Sequence, residues 1–258
     1  MNNNTMGKAC FIIATVLAFS LSNSEAQHTN RIRIAAASNL KFALDSIVMA
    51  FKAGRPGRVD VSYGSSGKLF EQLSNGAPFD IFFSADMNFP ALLRKKDLAA
   101  SEVYVYGVGR IVLWSNKFDP REKGMRCLLQ PGVRKIAIAN PMHAPYGKRA
   151  EEALAYYEIL EIVREKLVYG QNISQTAQFV TSGAADAGII ALSLALSPNM
   201  KKENGSYYLI PEVGYEPLEQ GAVVTRHGKG NAYARTFMTF VQDDVAGAIL
   251  DHFGFTRP

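Results

Sequence analysis

Histidine, tryptophan and cysteine are scarce in this 258-residue chain, which holds four, one and two of them. Cys10 falls in an apolar leader, so Cys127 stands alone in the rest of the chain and no internal disulfide can form there. His28, His143, His227 and His252 show no pair at i, i+3 or i, i+4, the helical spacing that would set two imidazoles on one ion. No metal cation held directly by side chains is therefore expected, and no cofactor. After the leader no apolar run is long enough to span a bilayer. A Gly-x-Ser-x-Gly elbow is absent, and Gly64-Ser65-Ser66-Gly67-Lys68 lacks the full spacing of a nucleotide phosphate loop. An exported serine hydrolase, with Ser66 as nucleophile and His143 as base, is left as the weaker alternative, and the chain is not expected to be an enzyme.

What is present begins with an export signature. Lys8 supplies a positive start, Ala9 to Leu21 is mostly apolar, and Ser24-Glu25-Ala26 before Gln27 has the small-x-small pattern of a cleavage site. Residues 1–26 read as a signal peptide cut near Ala26, which places the mature chain in the periplasm. Its loss removes one base and one acid, leaving 27 basic against 22 acidic side chains and the same net charge of +5. So modest an excess favours small anions. The basic residues are scattered, with no aromatic-interleaved stripe, so nucleic acid is not an expected partner.

Short runs rich in Ile, Val, Phe and Tyr alternate with helical patterns along the mature chain. Strands are expected at 32–37, 59–63, 80–84, 110–114, 135–139, 186–192, 207–211 and 222–225, and helices at 40–52, 68–74, 89–95, 148–167, 176–181 and 232–252. Leu40, Leu44, Ile47, Val48 and Phe51 form one stripe, and Gly54 is a natural stop. The alternation predicts an α/β fold with mostly parallel sheets. Two stretches, 104–109 and 217–221, read as crossings between lobes. Lobe 1 is then 31–105 plus 222–258, and lobe 2 is the inserted segment 108–217. In such folds ligands bind in the crevice at the carboxyl ends of the strands.

Four junctions before helices carry small polar or glycine-rich turns: Ala36-Ala37-Ser38-Asn39, Gly64-Ser65-Ser66-Gly67, Ala144-Pro145-Tyr146-Gly147 and Gly170-Gln171-Asn172-Ile173-Ser174. A helix start leaves backbone N–H groups without intrahelical partners and adds a favourable dipole, so converging starts can hold an ionised oxyanion without Lys or Arg. Each junction also has a plainer use, as a cap at Ser38, a flexible turn at Ser65-Ser66, a packing aromatic at Tyr146 and a cap at Asn172. None of the four contains Asp or Glu. Hydrogen phosphate needs an acceptor for its proton, whereas sulfate, molybdate and tungstate need only donors. Asp86 is the exception if the 84–86 loop turns inward.

The combination of Ala35-Ala36-Ala37-Ser38, Gly64-Ser65-Ser66-Gly67, the segments 76–86 and 140–147, and Asp186-Ala187-Gly188-Ile189-Ile190-Ala191-Leu192-Ser193 closely resembles the periplasmic molybdate-binding proteins of ABC importers. That resemblance implies a two-lobed class II solute-binding fold, monomeric, which closes on molybdate or tungstate and delivers it to a membrane permease with its ATPase. The family's ligand positions fall on Ser38, Asn39, Ser66, Tyr146 and Ile173, with Ser65, Gly67, Gly147 and Ser193 as further candidates. Ala191 stands where some members carry a ligand tyrosine, and the Tyr146 hydroxyl is the candidate replacement. A sulfate or broader oxyanion receptor of the same architecture is the nearest alternative.

Overall fold

The structure, a computed structural model, describes residues 30–257. The signal peptide expected at 1–26 lies outside the described residues. Two five-stranded sheets organise the described residues. The first contains β1 (Arg31–Ala37), β2 (Arg58–Gly64), β3 (Ile81–Phe83), β4 (Tyr104–Gly109) and β10 (Leu218–Val224), in the order β2-β1-β3-β10-β4. The second contains β5 (Ile111–Ser115), β6 (Ile136–Ala139), β7 (Leu167–Gly170), β8 (Ala187–Ala191) and β9 (Ser206–Leu209), in the order β7-β6-β8-β5-β9.

Strand β1 shows why the apolar run at 32–37 is continuous rather than alternating. It lies between β2 and β3, parallel to both, and is covered on both faces. Ile32, Ile34 and Ala36 enter one core with Phe51 and Phe237, while Ala35 faces another with Leu69, Phe82, Leu93 and Val223. The first of these cores is clamped by Phe51, whose ring meets Tyr233, Phe237 and Phe240 at 4.9–5.5 Å. Helices α1 (Lys41–Lys52), α2 (Ser66–Ser74) and α3 (Asn88–Lys95) follow the early strands, α4 (Pro145–Tyr156) and α5 (Ile173–Thr181) flank the second sheet, and α6 (Ala232–Val241) and α7 (Asp244–His252) end the described chain.

The α/β expectation holds, with corrections to its strand directions and its helix lengths. Each sheet is mixed, not mostly parallel: β10 runs antiparallel to β3 and β4, and β5 antiparallel to β8 and β9. The segments read as crossings, 104–109 and 217–221, lie largely on β4 and β10, which pair with each other and carry a register shift between Gln220 and Gly221. The long helices expected at 148–167 and 232–252 are each interrupted. After α4 the chain turns at Glu158, which takes φ 59°, makes a single turn at Leu160–Val163, and then pairs as β7 with β6. Between α6 and α7 it extends at Asp243.

Candidate oxyanion site

The first amides of a helix have no acceptor within that helix, so each must be traced elsewhere. At α2 the Gly67 N–H donates to the His143 carbonyl at 2.9 Å, and at α4 the Gly147 N–H donates to Ala144 O at 2.9 Å. At α5 the Ser174 N–H donates to Ser38 Oγ at 3.3 Å and the Gln175 N–H to the capping Asn172 Oδ1 at 3.0 Å. Among the described residues, the N–H groups of Ser66, Tyr146 and Ile173, at the starts of those three helices, have no partner. All three residues are buried. Pro145 at the first position of α4 has no N–H to satisfy, which makes Tyr146 the first donor of that helix. Ser38 and Asn39 open a short 3₁₀ turn, Ser38–Leu40, directly after β1.

These starts meet. Ser38 Oγ donates to Asn172 Oδ1 at 3.2 Å, and Ser174 Oγ donates to Ser38 O at 3.0 Å, which sets the 3₁₀ turn against the start of α5. Ala37 and Ala85 share one apolar cluster with Tyr146 and Ile173, although Ala37 ends β1 and Ala85 follows β3, both in the other sheet. Ser66 Oγ accepts the Ala85 N–H at 2.9 Å, so its own proton is still available to donate. Ser65, 5% exposed, has an Oγ that is buried with no partner. Glycine permits the close approaches. A Cβ on Gly67 would stand 2.9 Å from His143 O, and one on Gly147 would stand 2.1 Å from Ala139 O.

Other expected positions are occupied in ways the sequence did not reveal. Ser193 Oγ donates to Asn39 O at 2.8 Å. The Asn39 carboxamide faces a buried polar cluster: its Nδ2 donates to Gln220 Oε1 at 2.9 Å and to the Tyr146 hydroxyl at 3.3 Å. Gln220 Nε2 donates to the same hydroxyl at 2.9 Å, and the Tyr106 hydroxyl lies 2.7 Å from Gln220 Oε1. The Tyr146 phenol, offered by the sequence in place of the tyrosine absent at Ala191, thus sits among Asn39 and Gln220. Burial pushes that phenol up, so it stays protonated at physiological pH. Gln220 and Tyr106 were missed because their partners are distant in sequence. The one available signal was a glutamine immediately before the apolar stretch 221–224.

Asp86 has its carboxylate in use. Its Oδ1 accepts the Ser84 hydroxyl at 2.8 Å and the Phe89 N–H at 3.2 Å. Burial nevertheless raises its pKa, against the pull of these bonds and of Arg149 and Lys148. With His143, Lys148, Arg149 and Glu216 it lines a crevice of about 780 Å³, far larger than a tetrahedral anion. His143 reaches α2 through its carbonyl, while its Nδ1 is buried without a partner. Ser66 Oγ bonds Ala85 rather than an imidazole, which leaves the hydrolase arrangement without its nucleophile–base contact. Among the described residues, no group of three or more His, Cys, Asp or Glu could hold a metal ion.

Comparison with known proteins gives consistent matches over nearly all of this region. Residues 32–256 match the family model for bacterial extracellular solute-binding proteins. The chain is 33% identical over 225 residues to the molybdate-binding protein ModA of Azotobacter vinelandii, covering 87% of this chain and 89% of that protein. It is 31% identical to the molybdate-binding protein ModA of Rhodobacter capsulatus, covering 94% of each. The solved periplasmic molybdate-binding protein of Azotobacter vinelandii superposes with a TM-score of 0.83, covering 88% of this chain and 99% of that one.

Proposed function

From the premise that this chain belongs to the bacterial extracellular solute-binding proteins, as a non-catalytic class II member serving ABC transport, we propose that it captures molybdate or tungstate in the periplasm. In this reading it then delivers the anion to a membrane permease and its associated ATPase. The observation that carries the proposal is the set of unpartnered amides of Ser66, Tyr146 and Ile173 at three buried helix starts, beside the Ser65 and Ser66 hydroxyls. Donors without carboxylates suit an anion that carries no proton.

Lobe 1 is assigned to 31–105 plus 222–258 and lobe 2 to 108–217, with motion near Tyr106 and Ala222. The anion meets Ser38, Asn39 and Ser66 on the first lobe, and closure brings the amides of Tyr146 and Ile173 over it. Asn39 contributes at least its backbone N–H, at the start of the 3₁₀ turn. Each hydrogen bond to the charged ligand is worth roughly 1.5 to 3 kcal/mol, and each helix dipole roughly 0.3 to 1 kcal/mol. Six or so such bonds, after the cost of stripping water, fit affinities between about micromolar and nanomolar.

Thermal-shift measurements on the chain from Gln27 onward, with molybdate, tungstate, sulfate, phosphate and chromate at one low concentration, test the assignment. Stabilisation by molybdate and tungstate alone is expected. Equal stabilisation by sulfate overturns the specific reading in favour of a broad oxyanion receptor.

A further inference from the structure

The buried cluster between the two sheets contains a proton count that does not close as the amides stand. Tyr106 has a single hydroxyl proton, yet its oxygen lies 2.8 Å from the Ser84 carbonyl and 2.7 Å from Gln220 Oε1, two atoms that can only accept. The Tyr146 hydroxyl receives N–H groups from both Asn39 and Gln220 while its own proton has no acceptor. Asn39 Oδ1 is buried and receives nothing. Gln220 and Asn39 are 0% and 1% exposed, so bulk solvent does not reach the groups that lack partners.

Rotating both carboxamides by half a turn resolves all three conflicts without moving a carbon atom. Tyr106 then donates to Ser84 O and accepts from Gln220 Nε2. The second Nε2 proton goes to Asn39 Oδ1, and Tyr146 donates to Gln220 Oε1. One group is left over: the Asn39 Nδ2, now in the buried position that Oδ1 held. A desolvated N–H of this kind requires an acceptor.

We propose that Gln220 is a positioning residue for the oxyanion site, which by its own orientation holds the Asn39 carboxamide with its N–H groups, rather than its oxygen, toward the bound anion. This deepens the oxyanion-receptor reading and rests on it. Gln220 bonds Asn39 after β1 and Tyr146 at the start of α4, so one side chain aligns a donor from each side of the site. The orientation is set from behind by Ser84 O, a main-chain acceptor whose character cannot change. The same device discriminates between anions: an Oδ1 turned inward would welcome a protonated oxyanion, whereas an N–H turned inward favours a fully ionised one.

Gln220→Glu tests the proposal with little change of shape. At pH 8 the introduced carboxylate accepts from Tyr146 and Asn39 Nδ2 and competes with Ser84 O for the single Tyr106 proton, which turns Asn39 Oδ1 to the anion. Molybdate affinity by calorimetry is expected to fall about 10- to 100-fold relative to the native chain. Burial raises the pKa of a carboxyl, so by pH 5.5 the protonated group regains one donor and the deficit shrinks to about threefold or less. The titratable groups packed around the position are the phenols of Tyr106 and Tyr146, both pushed up by burial, with the Asp86 carboxyl acting on Tyr106 and the buried Tyr215 phenol acting on Tyr146. All of them are present in the native chain too, so the pH dependence of the ratio reports the introduced carboxyl and its coupling to them. A purely structural role gives no such recovery.

A double-mutant cycle supplies the second readout: Gln220→Leu should cost at least fivefold less in an Asn39→Ala background than in the native chain. Native binding of molybdate together with an unchanged, or pH-independent, Gln220→Glu deficit overturns the proposal and leaves the receptor reading intact. Failure of the native chain to bind any oxyanion removes both.

Discussion

Ser65 and Ser66 separate two kinds of buried hydroxyl. Ser66 Oγ accepts the Ala85 N–H, so Ser66→Ala should lower the melting temperature of the free protein as well as weaken molybdate binding, by roughly 1.5 to 3 kcal/mol measured calorimetrically. Ser65 Oγ bonds nothing, and a buried unpaired hydroxyl costs stability. Ser65→Ala should therefore hold or raise the melting temperature of the free protein while reducing the further rise produced by saturating molybdate. An unchanged ligand shift would make Ser65 a turn residue. At this scale the sequence was most legible where a donor sits in a small or glycine-rich turn, as at Ser38, Ser66, Tyr146 and Ile173. It was silent on Gln220, whose bonds to Tyr106, Tyr146 and Asn39 span 114, 74 and 181 positions. No local pattern records such contacts.

The elements were legible in kind and less so in extent. Strand β1 announced itself by an unbroken apolar run, because parallel strands covered on both faces have no polar side. Strand β7 did not, since Leu167-Val168-Tyr169-Gly170 continues the preceding helical period and is drawn into a strand by its partner β6. The entry to β8 is fixed by Asp186, whose carboxylate accepts the N–H groups of Arg134 and Lys135 at 2.8 Å each and pairs with Lys117. Burial alone would raise its pKa, but these partners outweigh it and bring it down to about 2. The folded value lies below the unfolded one, so the stabilisation is complete above about pH 4 and is lost as pH falls toward 2. Asp186→Asn should lower stability by about 2 kcal/mol at pH 7 and flatten the acid limb of the stability–pH curve between about pH 4 and 2, as read by urea melts. An acid limb identical to that of the native chain would contradict this role.

At the scale of the whole molecule, the two sheets are joined by bonds near the site: Gly67 N–H to His143 O, Lys68 Nζ to Gln171 Oε1 at 3.0 Å, and Ser193 Oγ to Asn39 O. A class II receptor is expected to make and break such bonds as it closes and opens. Gly67→Val places atoms where His143 Cβ and O now stand, so it should hinder closure and leave each core intact. Small-angle scattering should then show a larger radius of gyration than the native protein in saturating molybdate, with affinity reduced about tenfold or more. Native-like compaction would argue against closure through this contact. The two-lobed architecture was legible from motifs in combination, because the serine- and glycine-rich turns before the helices constrain sequence locally. The mixed strand order was not, because β10 joins the first sheet only after the whole second sheet has been built. The central claim, a receptor for fully ionised tetrahedral oxyanions with molybdate and tungstate preferred, is tested most directly by competition calorimetry at pH 8. Molybdate is titrated into the protein with and without a thousandfold excess of sulfate. Submicromolar binding that sulfate leaves within about twofold is predicted, and loss of the molybdate isotherm in sulfate would contradict the account.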